Sequence, residues 1–111
     1  MKSRIMYIEL KGEGSHDDRG AARLGRVIFS KSGKSIHYQG KTFQRTKGPA
    51  GCGNYIEVET DDIYWISGPK KDGTDRFYWG KSAPVEIDDD AREEYWTTIR
   101  NKPEKANERF A

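Results

Sequence analysis

Apolar and polar residues alternate along several short stretches of this chain, and glycine-rich or charged stretches separate them. Ile5 to Leu10 sets Met6, Ile8 and Leu10 against Ile5 and Tyr7, the period of a strand. Lys11 to Gly25 carries four glycines among charged residues and reads as a mobile loop. Arg26–Ser30, Ser35–Tyr38 and Lys41–Thr46 then form a predicted three-stranded meander. Its turns lie at 31–34 and at Gln39-Gly40, where glycine takes positive φ without steric cost. In the meander, Val27, Phe29, Ile36 and Phe43 fall on the core side. Asn54 to Thr60 sets Tyr55, Glu57 and Glu59 against Ile56 and Val58, and Ile63–Ser67 runs back as the second arm of a hairpin. Short strands are also predicted at Arg76–Trp79 and Val85–Ile87.

After Ile87 the pattern changes period. Ala91, Tyr95, Trp96 and Ile99 share one helical face, so residues 90–100 read as a helix that Pro103 stops. Asp90 with Glu93 has the form of a capping box. The acids Asp88, Asp89, Asp90, Glu93 and Glu94 suit the positive end of a helix dipole. The expected fold is therefore mainly β: a small antiparallel sheet, or a partly open SH3-like or OB-like barrel, with one C-terminal α-helix. Residues 1–103 form the expected single domain, and the patternless 104–111 a flexible tail.

Composition changes this picture in three ways. At 111 residues with 33% apolar content, the chain can bury one modest core. Mean hydropathy of -1.00 is low, but 12% aromatic residues and the period-2 patterning argue against disorder. The absence of any membrane-length apolar run, the lack of a signal-peptide pattern and the single cysteine, Cys52, point to the cytoplasm.

The net charge of +2 hides an asymmetry. Residues 1–86 hold 15 basic against 11 acidic side chains, and 87–111 hold 5 against 7. Between Arg19 and Ile56 there is no acid at all, only Arg19, Arg23, Arg26, Lys31, Lys34, Lys41, Arg45 and Lys47. Such a run points to a positive surface and an anionic partner. With no acid in the meander to neutralise them, its cations should form one positive face extending to Lys70 and Lys71.

Few motifs carry chemistry. Three Gly-Lys-Ser/Thr fragments begin at Gly33, Gly40 and Gly80, but a phosphate loop needs glycine at Ile28, Ser35 or Asp75, so none qualifies. The loop Ser67–Gly73 sets Lys70 and Lys71 between glycines and a proline, the composition of an anion-binding nest. Aromatics flank it. Trp65 and Trp79 are expected in the core, which leaves Tyr64 and Tyr78 on the opposite face. Cys52 with His37 or His16 is too small a coincidence to read as a catalytic dyad, and His16-Asp17-Asp18 has no second cluster to complete a metal site.

The segments ARLGRVIFSKSGKSIHYQGKTFQ, NYIEVET, YWISGPKKDG and VEIDDDAREEYWTTIR together resemble a family of short, uncharacterised bacterial proteins, and YWISGPKK is the most specific part. Members are sometimes labelled 1-deoxy-D-xylulose-5-phosphate synthase. That enzyme is a large thiamine-diphosphate protein, and this chain has neither a GDG…N motif nor the size to enclose the cofactor. The resemblance implies a bacterial, soluble protein and no particular activity.

The expectation is a non-enzymatic module without cofactor or metal that binds nucleic acid or a nucleotide. The contacts would be Arg23, Arg26, Lys34, Lys41, Arg45, Lys70 and Lys71, with Tyr38, Tyr64 and Tyr78 as stacking rings. The alternative is a protein-interaction or regulatory module that binds an acidic protein partner.

Overall fold

Six of the strands that alternation predicts roll into a closed antiparallel barrel in a computed structural model of the chain. The structure describes residues 2–12, 22–50, 53–73, 75, 77–78, 81–82 and 84–111; at 12, 47–50, 77–78 and 81–82 it describes the backbone alone. The barrel strands are β1 (Ser3–Gly12), β2 (Ala22–Phe29), β3 (Ser35–Tyr38), β4 (Lys41–Ala50), β5 (Gly53–Glu57) and β6 (Ile63–Ser67). Their order is β1-β6-β5-β4-β3-β2, and β1 pairs with both β6 and β2 to close the ring. Closure gives every barrel strand a paired neighbour on each side. Two-residue strands β7 (Phe77–Tyr78) and β8 (Lys81–Ser82) pair with each other, and β9 (Glu86–Ile87) lies parallel to the start of β2. No helix among the described residues is long and apolar enough to cross a membrane.

The predicted meander and hairpin are present, but the inward face of the hairpin is the aromatic one. Tyr55 opposes Tyr64 across β5 and β6, and both rings are buried inside the barrel with Met6, Ile8, Val27, Ile36, Tyr38, Phe43 and Ile66. Phe43 and Tyr64 meet edge to face at 4.7 Å. The outward positions go to Val58 and Trp65, at 48% and 40% exposure. The expectation that Trp65 fills the core and Tyr64 faces out is thus corrected. Phenol rings carry enough apolar area to fill a small barrel, and Trp65 keeps its indole N–H satisfied outside, on Ser67 Oγ at 3.1 Å. The Trp79 and Cys52 positions lie outside the described residues.

β1 serves two cores. Met6 and Ile8 point into the barrel. Ile5 and Tyr7 point outward, where they meet Leu24, Val85, Ile87, Ala91, Tyr95 and Trp96 in a second apolar cluster. The helix that covers this cluster is shorter than predicted and widened. One turn, α1 (Arg92–Glu94), passes directly into a π-helical stretch (Tyr95–Ile99), closed by Arg100 N–H donating to the Tyr95 carbonyl at 3.0 Å. The wider turn lets the neighbours Tyr95 and Trp96 both be buried. No side chain caps α1, so the Asp90–Glu93 capping box does not form. Asn101, at φ 54°, ends the helix in the left-handed conformation.

The segment after Pro103, expected as a loose tail, is tied down. Ile87 N–H donates to the Arg109 carbonyl at 2.8 Å, and Ala111 N–H to the Val85 carbonyl at 2.9 Å. Trp96 holds it from beneath through Nε1–H to the Glu108 carbonyl at 2.9 Å, with the Lys105 ammonium 5.4 Å from its ring centre. Trp96→Ala should therefore cost about 3–5 kcal/mol in denaturant unfolding. It should also release the 108–111 segment, read as faster amide exchange at Ile87 and Ala111. Unchanged exchange at both amides would show that the tail is held without the indole.

A clasped barrel mouth and a basic barrel end

β2 and β3 pair only at Ile28 with His37 and Phe29 with Ile36, and then diverge. β9 fills the gap, and behind it comes Asp88, whose N–H donates to the Leu24 carbonyl at 2.9 Å. Asp88 is only 8% exposed. One carboxylate oxygen accepts from Arg23 Nε at 2.5 Å; the other accepts from the Tyr38 hydroxyl and, at 3.4 Å, from Gln39 Nε2. Arg23 also reaches Glu86 Oε1 at 3.0 Å, and Arg109 Nε donates to Glu86 Oε2 at 2.6 Å.

This clasp needs a strand without a side chain beneath it. A Cβ on Gly25 would meet Asp88 Oδ2 and stand 2.6–2.7 Å from the Tyr38 ring edge and hydroxyl. Glycine here serves close approach. Gln39 meets a different constraint. It sits at φ 49° and Gly40 at φ 77°, the two positive angles of a tight β3–β4 turn. A left-handed glutamine costs about 1–2 kcal/mol, and its amide lands on the clasp.

Two pKa shifts follow from this geometry. Burial first, then donation to the Asp88 carboxylate and its charge, push the Tyr38 hydroxyl well above the usual phenol range. Glu86 is held below the usual carboxylate range, chiefly by Arg109.

The clasp sits beside one end of the barrel, the end of the β3–β4 and β5–β6 turns. There a cavity of about 210 Å³ opens between Ile8, Leu10, Phe43 and Tyr64, rimmed by Arg23, Tyr38, Gln39 and Lys41. Four of the ten residues expected to contact ligand, Arg23, Tyr38, Lys41 and Tyr64, thus come together. Tyr38 and Tyr64 are walls here, not exposed stacking platforms, because both rings are part of the barrel core.

Lys34 and Arg45 lie at the opposite end, where Arg45 N–H donates to the Lys34 carbonyl at 3.2 Å. This end also gathers Lys2, Arg4 and Lys31 around an open groove of about 570 Å³ with half-buried Phe29 and the β2–β3 turn. Among the described residues none of these five cations is in an ion pair. Ser30 and Ser32 stiffen the turn, their hydroxyls accepting from Ser35 N–H and Lys34 N–H.

The single positive face expected from the acid-free run is thus corrected. Arg23 is neutralised by Asp88 and Glu86, and Arg26 by Glu94 at 2.8 Å. The neutralising acids come from the C-terminal segment, which the β2–β9 pairing carries to β2. Asp88 therefore does not serve the helix dipole. Lys41 and Arg45, inward-facing on the same strand, stand at opposite barrel ends.

Lys70 and Lys71 follow β6, and Gly68 adjoins Arg4. Their loop does not hold a free anion nest, because Lys70 N–H already donates to Asp75 Oδ1 at 2.7 Å. The loop folds against Arg100 instead; a Cβ on Gly73, at φ 78°, would collide with the Arg100 guanidinium. The Tyr78 side chain and His16 lie outside the described residues. Among the described residues no group of three His, Cys, Asp or Glu could hold a metal ion. Composition does not single out Asp88, since its role depends on a partner 65 residues distant in sequence, Arg23. Lys2, Arg4 and Lys31 could have been found from their position at predicted strand ends.

A scan against protein-family models finds no match to this sequence, and searches of curated proteins and of solved structures likewise find none.

Two outcomes test the clasp. Gly25→Ala should destabilise by about 1–3 kcal/mol, the usual cost of overpacking, with calorimetry as the measurement. The raised Tyr38 pKa means that the folded chain keeps a proton the unfolded chain loses above pH 10.0. Its contribution to stability is complete below that pH and declines as pH rises further. Tyr38→Phe should therefore flatten the alkaline loss of stability; an unaltered alkaline limb would mean that Tyr38 does not hold its proton.

Proposed function

We propose that this protein is a non-enzymatic, cytoplasmic nucleic-acid-binding module that takes a single strand across its basic barrel end. The observation that carries the reading is that Lys2, Arg4 and Lys31 line one groove, with Lys34 and Arg45 at the same barrel end and none of the five in an ion pair among the described residues. Cations held in reserve at one end of a barrel suit a polyanion better than a point ligand, because each phosphate meets a separate charge. Phe29, half-buried in the floor of that groove, offers a ring face against which one base can rest. Lys70 and Lys71, which follow Gly68 beside Arg4, extend the positive surface outward. The resemblance to short bacterial proteins agrees with a bacterial source for such a module.

Fluorescence anisotropy with a labelled oligopyrimidine RNA tests this. The logarithm of affinity should fall linearly with the logarithm of salt, by about -0.7 per neutralised phosphate on a single strand. Lys31→Glu, Lys34→Glu and Arg45→Glu together should abolish binding and leave the melting curve nearly unchanged, since surface changes cost within about 0.5 kcal/mol each. Lys41→Glu, at the opposite end, should weaken binding far less. No anisotropy change with RNA or DNA at low salt would overturn the proposal; an acidic protein co-purifying through the same lysines would then be the better reading.

A further inference from the structure

We propose that the clasped mouth of the barrel is a second binding site, for a small aromatic carboxylate. The cavity there has about 210 Å³, room for one ring system and little more. Its walls are Ile8 and Leu10 from β1, Phe43 from β4 and Tyr64 from β6, so its interior favours an apolar, flat body. Phe43, wholly buried, and Tyr64 stand edge to face at 71°, so the floor of the cavity is aromatic.

The charge at the rim fixes the other half of the ligand. Lys41 is exposed on the rim and in no ion pair among the described residues. Arg23 places Nε on Asp88 and Nη1 on Glu86, which leaves Nη2 outside these ion pairs. A carboxylate at the mouth could take the Lys41 ammonium and the outer edge of Arg23 while its ring enters the barrel. The clasp would hold Arg23 in place for that contact, and the strained Gln39 marks the same rim. Backbone held in a sparsely populated region gathers at ligand sites. This site uses none of the five cations of the basic end, so it stands or falls apart from nucleic-acid binding.

Amide NMR titration of the full chain with indole-3-acetate, and separately with its neutral analogue indole-3-acetamide, is the test. The acetate should shift the amides of Ile8, Leu10, Phe43 and Tyr64 and bind about fivefold tighter than the acetamide, the ~1 kcal/mol of an accessible ion pair. Lys41→Gln should shrink that difference to the share Arg23 supplies, while the acetamide affinity stays as it was. Leu10→Trp, which fills the half-buried mouth, should abolish binding of both compounds. Lys41→Gln alters only a rim side chain, so it remains informative if Leu10→Trp disturbs folding. Equal affinity for acetate and acetamide, shifts confined to the basic end, or no shifts at millimolar concentrations would each overturn the proposal.

Discussion

β1 has no solvent face over Ile5 to Ile8, and the rest of the molecule is arranged around that fact. Its even positions close the barrel core and its odd positions seed the outer one. Strand register is normally set by burying one face and wetting the other, so that a slip of one residue exposes the core. Here a slip would exchange one apolar set for another. The boundary is drawn further along the strand. Glu9 lies on the outer side, where it accepts from the Tyr7 hydroxyl and pairs with Lys11 at 3.0 Å. Leu10 lies on the inner side. Moving the strand by one would place the Glu9 carboxylate among Phe43 and Tyr64, at the cost of an unpaired buried charge. A single acid at the end of an apolar run thereby fixes the register of both cores.

The outer core requires the C-terminal segment, and β2 is where that segment is fastened. Leu24 and Ile87, both wholly buried, supply the apolar contact. Arg23 and Arg26 supply the polar one, each to an acid of the C-terminal segment. The planar guanidinium suits this task because it can bridge two carboxylates in fixed geometry, as Arg23 does between Asp88 and Glu86. Gly25 leaves the space in which Tyr38 crosses to Asp88. One short parallel pairing therefore secures the second core, seals the gap between β2 and β3, and removes two arginines from the free positive charge.

That pairing also marks the limit of what the sequence shows. The six strands, their turns and the buried face of the helix follow from local periodicity, and the structure bears out the small-barrel expectation. The closed barrel could not be separated from an open sheet, because the difference is one long-range pairing, β1 with β2. Alternation puts Tyr64 and Trp65 on the opposite faces from those they occupy, for a related reason. In a run such as Ile63–Ser67 every candidate is apolar, so alternation leaves the inward set undetermined, and only the pairing of Tyr55 with Tyr64 decides it. Charge follows the same rule. The acid-free run is real in the chain but does not carry over whole to the surface, because acids 63 to 68 residues away fold back onto it. The Asp75 carboxylate likewise takes a backbone donor that the composition of the GPKKDG loop reserves for a ligand.

The closed ring explains why the two proposed sites lie at its ends. A wall of paired strands has no free backbone edge to lend to a partner. The barrel interior reaches solvent only where inward-facing positions run out. At one end those positions hold Arg4, Phe29 and Arg45; at the other, Leu10, Arg23 and Lys41, taken from the same three strands. Alternation thus delivers a ring or aliphatic side chain and two cations to each end. What separates the ends is acid: the mouth end holds buried Glu57 opposite Phe43 and receives the C-terminal acids. They reach Arg23 and leave Arg4 and Arg45 without a partner among the described residues. One end is therefore a narrow, partly neutralised mouth with an apolar floor, suited to a small ligand. The other keeps its full positive charge around a wider groove, suited to a chain of phosphates.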